Sequence, residues 1–209
     1  EKNRNDQVDR LKLETTVKEL ELKTIKSHIN PHFIFNSLNS IRALVDENPK
    51  RARRAITELS NILRSSMQAE KSETVPLEKE MDIVKDYLAL EQMRFEERLK
   101  IEFVIDEDTL QQPVPPMMLQ TLVENAIKHG ISRQIKGGLV KIVAAFKDNN
   151  LELLVQNTGQ LASILNDEGF GIKSTQDRLN LMYQGKAIFE IRNLNSSIVE
   201  SKVLIPVTI

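Results

Sequence analysis

The chain has 209 residues, 40% hydrophobic and 28% charged, the composition of a globular protein of one or two compact domains and not of a disordered or fibrous one. Its 29 basic and 30 acidic residues sum to −1, so there is no global positive field to hold nucleic acid or an anionic membrane, and nucleic acid is not expected as a partner. The absence of cysteine excludes disulfides and thiolate metal sites and agrees with a reducing compartment.

The first stretch is charged and helix-prone, opens at Glu1 without a start signal, and reads as part of something longer. From Val8 to Ile29 apolar residues recur at Leu13, Val17 and Leu20 and again at Leu22, Ile25 and Ile29, the spacing of a helix that buries one stripe. The pattern continues through Pro31 to Phe33, Ile34, Leu38 and Ile41, so Pro31 is expected to kink the helix and not to end it. Asn48-Pro49 marks a turn. A second helix, Pro49 to Met67, gathers Ala52, Ala55, Ile56, Leu59, Ile62 and Leu63 on one face and leaves Arg51, Arg53, Arg54 and Glu58 outside. Two such helices form an antiparallel hairpin with a narrow core, which a second copy would complete as a four-helix bundle; a homodimer is expected.

Polar residues from Gln68 to Thr74 read as a linker. Beyond it come a helix from Leu77 to Arg98, with Leu77, Met81, Val84 and Leu88 on one face, and a strand from Ile101 to Ile105. Pro113, Pro115 and Pro116 stop that strand and introduce a helix from Met117 to Lys128. Strands Leu139–Phe146 and Leu151–Gln156 pair around Asp148-Asn149-Asn150. A glycine-spaced loop, a helix from Lys173 to Tyr183 and strands Ala187–Arg192 and Ile198–Val207 complete a mixed sheet covered by helices. The fold class is α+β in two domains: a helical hairpin, then an α/β sandwich.

Three places carry candidate chemistry. In INPHFIFNSLNSI, Pro31 frees His32 to face outward, and Asn36, four residues on, can orient its imidazole or a water. Histidine offers a neutral ring nitrogen as a nucleophile near neutral pH. His28 and His32 share the spacing of metal ligands, but a third ligand would be needed and the chain's remaining histidine is His129. In LVENAIKHG, Glu124, Asn125, Lys128 and His129 put a carboxylate, a carboxamide, an ammonium and an imidazole within about a turn of one another, a set able to meet magnesium and a triphosphate, or else a solvated polar face. The glycines of NTG (Asn157 to Gly159) and GFG (Gly169 to Gly171) let backbone amides approach phosphates, and the second pair precedes a helix N-terminus.

PHFIFNSLNSI, LVENAIKHGI and GFGIKSTQDRL, in that order and with EQMRFEERL between the first two, resemble the phosphoacceptor box, N box and second glycine box of the LytS/YehU-type sensor histidine kinases, a similarity over nearly the whole chain, from about Leu22 to Ile209. The resemblance implies a helical dimerisation and phosphoacceptor domain over residues 1–70, then an ATP-binding domain of Bergerat (GHKL) type, shared with gyrase and MutL, over 75–209. It implies ATP and Mg2+ as cofactors, His32 as the phosphorylated residue and Asn125 as the magnesium ligand. Lys128 and His129 match positions near the phosphates, and Gly159, Gly169 and Gly171 match loops around the nucleotide. It also implies a response regulator receiver domain as partner, and an upstream sensor portion that anchors this region at the cytoplasmic face of the inner membrane.

Three departures stand out. Asn157 replaces the adenine-recognising aspartate of the wider superfamily, an exchange that keeps an acceptor oxygen. Leu161 replaces the second glycine of that box, and Phe33 stands where other histidine kinases place an acid beside the histidine. Glu124 is therefore the expected base, acting when the ATP domain docks on the hairpin. Two rival readings are a non-catalytic, nucleotide-binding dimeric signalling module and a phosphatase of the regulator that uses His32 and Asn36 to place water.

Overall fold

A computed structural model describes residues 30–69, 72–161 and 170–207. The expected helix over Val8 to Ile29 lies outside them, as do His28 and Gly169.

Helix α1 (Pro31–Glu47) begins at Pro31 and does not run through it. Asn30 is extended (φ −74°, ψ 107°), and its side-chain oxygen accepts from the amides of His32 and Phe33 at 3.0 and 3.4 Å. The expected kink is thus a helix start: proline lacks only an amide that a first turn leaves unpaired anyway, and asparagine is among the best caps. Asn48 repeats the device ahead of Pro49, accepting from the Arg51 amide at 3.0 Å, and so both closes α1 and opens α2 (Pro49–Gln68).

The hairpin does not wait for a second copy to bury its seam. Ala52, Ala55, Leu59 and Ile62 are buried in one continuous core with Met81, Val84 and Leu88 of α3 (Leu77–Phe95). Two expectations fail here. Ile56 points away and is half exposed. Glu58, expected outside, is buried, because Arg51 (2.9 Å) and Arg54 (3.0 Å) neutralise it while Arg51 Nη2 also donates to the Ala89 carbonyl of α3 at 3.0 Å. Asn61 adds a donor to Asp86 at 2.9 Å.

A short strand β1 (Val75–Pro76), absent from the sequence reading, pairs antiparallel with β3 (Pro113–Val114). The helix expected to reach Arg98 ends at Phe95 in a 3-10 turn, Glu96–Arg98, where Glu96 takes a positive φ of 53°. Strand β2 (Leu99–Ile105) then runs parallel to β4 (Gly138–Lys147). β4 turns through Asp148 (φ 49°) and Asn149 (φ 60°) into β5 (Asn150–Thr158), a two-residue hairpin that demands left-handed residues at both positions and here uses residue types that tolerate them. β6 (Ile188–Asn193) and β7 (Ile198–Pro206) close a five-stranded sheet of order β2-β4-β5-β7-β6. Strict alternation puts Leu151, Leu153, Val155 and Asn157 on its buried face, beneath α3, α4 (Met118–Asn125) and α5 (Phe170–Tyr183).

Candidate active site

The helix carrying Asn125 is held from outside itself. Met117 precedes α4 in a left-handed conformation (φ 65°), and α4 has no side-chain cap of its own. Glu80, buried in α3, supplies one: its two carboxylate oxygens accept from the amides of Met117 (2.8 Å) and Leu119 (3.1 Å). Burial pushes the Glu80 carboxyl up to about 7 despite these bonds and the nearby Arg178. Sequence reasoning missed Glu80. The signal was a carboxylate set between the apolar residues Leu77, Met81 and Val84, where a charge survives only with dedicated partners.

After Asn125 the helix widens into a π-turn, Ala126–Gly130. Such turns concentrate at functional sites. Here the widening carries Lys128 to an exposed position and His129 beside Arg133 (3.3 Å), and ends with Gly130 against β5. A β-carbon on Gly130 would lie 2.1 Å from Asn157 Nδ2 and 2.9 Å from the Thr158 carbonyl oxygen. The end of the N-box segment and the NTG segment therefore touch backbone to side chain. Gly159 continues the contact with a φ of 150°, a β-carbon there falling 3.3 Å from both Asn157 Nδ2 and Gly130 Cα. On the other side, Gly171 in the first turn of α5 comes within 3.1 Å, β-carbon to side chain, of Thr121, whose carbonyl accepts from Asn125 Nδ2 at 2.8 Å. Asn125, Lys128, His129, Asn157, Gly159 and Gly171 thus converge on α4 and its π-turn. Leu161, at the missing glycine, is pinned by its amide to Asn193 Oδ1 at 2.9 Å.

The donor set fits magnesium bound largely through water. The amide nitrogen of Asn125 is engaged, which leaves its oxygen as the ligating end, and among the described residues no cluster of three or more His, Asp or Glu forms a protein cage for a metal. The absence of a side chain at Gly130, Gly159 and Gly171 is what lets these segments meet at contact distance.

His32 is exposed in the first turn of α1, and Asn36 Nδ2 lies 3.1 Å from its Nδ1. The rest of the α1 first turn packs inward. The Phe33 ring meets the Tyr87 ring of α3 at 4.7 Å, and Asn30, Phe33, Ile34, Ile62 and Ser66 line a small cleft whose far wall is Gln120 and Glu124 of α4. Gln120 Nε2 donates to Glu124 at 2.8 Å, and Gln120 Oε1 has no partner among the described residues. Desolvation, reinforced by the charge of Glu91, raises the Glu124 carboxyl to about 7, against the opposing Gln120 bond and Lys128. Hairpin and N-box helix of the same chain are in contact, with a carboxylate at their seam.

A histidine kinase family model matches residues 20–99. The chain is 40% identical over 143 residues to the sensor protein LytS of Staphylococcus haemolyticus, covering 68% of this chain and 24% of that protein. The chain belongs to the LytS-type histidine kinases. Identity to LytS of Enterococcus faecalis is 32% over 193 residues, covering 86% of this chain and 33% of the relative. The Staphylococcus aureus relative, named a sensor histidine kinase/phosphatase, is 34% identical over 166 residues, 79% of this chain and 26% of its own length. The chain spans about a quarter to a third of these relatives. In fold it is similar to the catalytic domain of the histidine kinase ThkA, with a TM-score of 0.51 at 18% identity over 65% of this chain and 96% of that one.

Proposed function

We propose that this LytS-type chain transfers the γ-phosphoryl group of ATP to its own His32, and that an aspartate of a response regulator receiver domain then takes it. The observation that carries the reading is the convergence of Asn125, Asn157, Gly159 and Gly171 on one helix whose neighbouring face packs against the His32 turn. Residues 1–70 form the dimerisation and phosphoacceptor part, and residues 75–209, Gly169 and Gly171 included, form the ATP-binding part.

In this reading the adenine sits by Asn157, and the phosphates lie between the Asn125–His129 segment and the start of α5. The Asn125 oxygen would hold magnesium, which would supply charge neutralisation on the phosphates. With the Asn36 amide turned so that its oxygen accepts the Nδ1 proton, His32 Nε2 is bare and aimed outward. Nε2 attacks the phosphorus in line. The N–P bond forms as the bridging P–O bond breaks, and ADP leaves with that electron pair. Glu124, poised near 7, takes the proton released from the imidazole ring.

The outer face of the hairpin supports a homodimer. Phe35, Leu38 and Val45 of α1 and Ile56 and Met67 of α2 remain exposed at spacings of three, four or seven residues and their sums. No helix among the described residues is long and apolar enough to cross a membrane; anchoring at the cytoplasmic face of the inner membrane through a sensor portion is part of this reading and is supported by the names of the sensor-protein relatives.

Incubation with γ-labelled ATP tests the reading. Acid-labile label that disappears in His32→Gln is expected; a chain that takes up none is not a kinase. A second reading, dephosphorylation of the regulator, is favoured by the Asn36–His32 pair, which can also hold a water, and by the name of the Staphylococcus aureus relative. Loss of phosphate from a phosphorylated receiver domain, abolished by Asn36→Ala, checks it.

A further inference from the structure

His32 has no acid beside it in sequence, yet the residue that follows it packs on a tyrosine that holds a buried acid of another helix. Glu91 sits in α3 on the buried stripe with Leu77, Glu80, Val84 and Tyr87, and only 3% of it is exposed. It is held on two sides. The Tyr87 hydroxyl donates to Oε1 at 3.3 Å, and Arg94 Nη1 donates to Oε2 at 3.4 Å. The Tyr87 ring in turn is the surface on which Phe33 rests, at 4.7 Å between centroids. The residue after the phosphoacceptor is therefore packed on the residue that fixes Glu91, and the charge on a protonated His32 acts on the Glu91 carboxylate. From the α4 side, Glu124 is the group on which the Glu91 charge acts, opposed there by Lys128.

From this juxtaposition we propose that Glu91 is a positioning residue for phosphorylation of His32, its buried carboxylate stabilising the imidazolium charge that develops as the ring attacks phosphorus. The assignment rests on the kinase reading and divides the labour an adjacent acid would perform alone. Nε2 forms the N–P bond, ADP departs with the electrons of the broken P–O bond, and the ring briefly carries both its Nδ1 proton and the new phosphoryl group. Glu91 opposes that positive charge through a low-dielectric path and keeps its own protonation state. Glu124 then receives the proton. Burial raises the Glu91 carboxyl above its ordinary range, and Arg94, the Tyr87 hydroxyl and the charge of His32 oppose that rise. The Phe33–Tyr87 stack makes the effect conditional on docking: with the hairpin lifted off α3, the turn that bears His32 leaves Tyr87 and the carboxylate that Tyr87 holds.

The test is single-turnover labelling of the 209-residue chain with γ-labelled ATP, alongside ATP binding by calorimetry and thermal unfolding. Glu91→Gln should lower the rate at saturating ATP at least tenfold while ATP affinity stays within twofold. Glu91→Asp, which restores the charge, should recover to within about threefold of the parent. Wild-type rate in Glu91→Gln overturns the assignment, and so does an equal loss in both variants accompanied by weaker ATP binding and lower melting, the pattern of a merely structural residue. Should Glu91→Gln not fold, Tyr87→Phe decides. It keeps the ring on Phe33 and removes only the hydroxyl: a slower rate at saturating ATP supports the assignment, and an unchanged one overturns it. Absence of label in the parent chain would instead overturn the kinase reading, and this assignment with it.

Discussion

Gly130→Ala is the sharpest test of the nucleotide site, because it adds a single methyl group at a point where the backbone and Asn157 already touch. The new carbon would lie 2.1 Å from Asn157 Nδ2, 2.9 Å from its Cγ and 2.9 Å from the Thr158 carbonyl oxygen. Two of these are near the root of a short side chain or on a backbone, so the contact cannot be relieved by swinging a flexible tip. Asn157 is buried and its Nδ2 donates to the Thr158 oxygen at 3.0 Å, so displacing it breaks that bond and moves the group assigned to adenine. Overpacking of this kind costs about 1–3 kcal/mol. Loss of one buried hydrogen bond in the ligand site costs about the same again, or roughly 5- to 150-fold in affinity. ATP and ADP titrations by calorimetry should show at least a tenfold loss in Gly130→Ala while the circular dichroism spectrum remains that of a folded α+β protein. A variant that binds adenine nucleotides within twofold of the parent, with an unchanged melting temperature, would refute the reasoning: Asn157 would then not read the base from where it sits.

Glu80 carries a proton more tightly in the folded chain than in the unfolded one, its carboxyl being raised from 4.5 to about 7 by burial. Its contribution to stability is therefore complete below about pH 4.5 and is lost as pH rises through 7, a swing of about 3 kcal/mol at most; urea midpoints at pH 5 and pH 8 should differ less in Glu80→Gln than in the parent, and an identical difference refutes the account. Glu124→Gln should leave ATP affinity intact and slow labelling of His32 by about 100-fold, the usual worth of a positioned base; an unchanged labelling rate removes Glu124 from the mechanism. Asn30→Ala should cost about 1 kcal/mol through loss of the cap, whereas Asn30→Asp keeps it. Equal melting temperatures for all three chains would mean that the helix runs through Pro31 after all.

The layered architecture was legible from periodicity. Leu77, Met81, Val84 and Leu88 are all essentially inaccessible as their spacing predicts, and the alternation in β4 and β5 orients the sheet without ambiguity. The reading failed where a polar side chain redirected the backbone. At Pro31 the continuing apolar pattern was stronger than the cap signal of Asn30, and both the helix start and the placement of His32 in a first turn were missed. Glu58 was put outside on charge alone, because the two arginines that make its burial tolerable look, in sequence, like ordinary surface residues. The β1–β3 pair joins segments 38 residues apart and only two residues long, too short to carry a pattern of its own.

The site divides along the same line. Motifs pointed to the groups assigned to the nucleotide, since glycine spacing and the ENAIKH string suggest phosphate chemistry directly. What motifs could not reveal is how those groups are held, because the supports come from α3, a helix that reads as plain scaffold. Its stripe carries Glu80 and Glu91 eleven residues apart, three helical turns, so both carboxylates fall on the one buried face. One carboxylate fixes the start of the helix that bears Asn125, and the other is bonded to Tyr87, on whose ring Phe33 of the His32 turn rests. In the proposed transfer, one helix would therefore support both the nucleotide side and the acceptor side. Displacing the hairpin from α3 would then separate His32 from its carboxylate without disturbing the Glu80 bonds to Met117 and Leu119, so that a signal arriving through α1 would change transfer while leaving nucleotide binding in place.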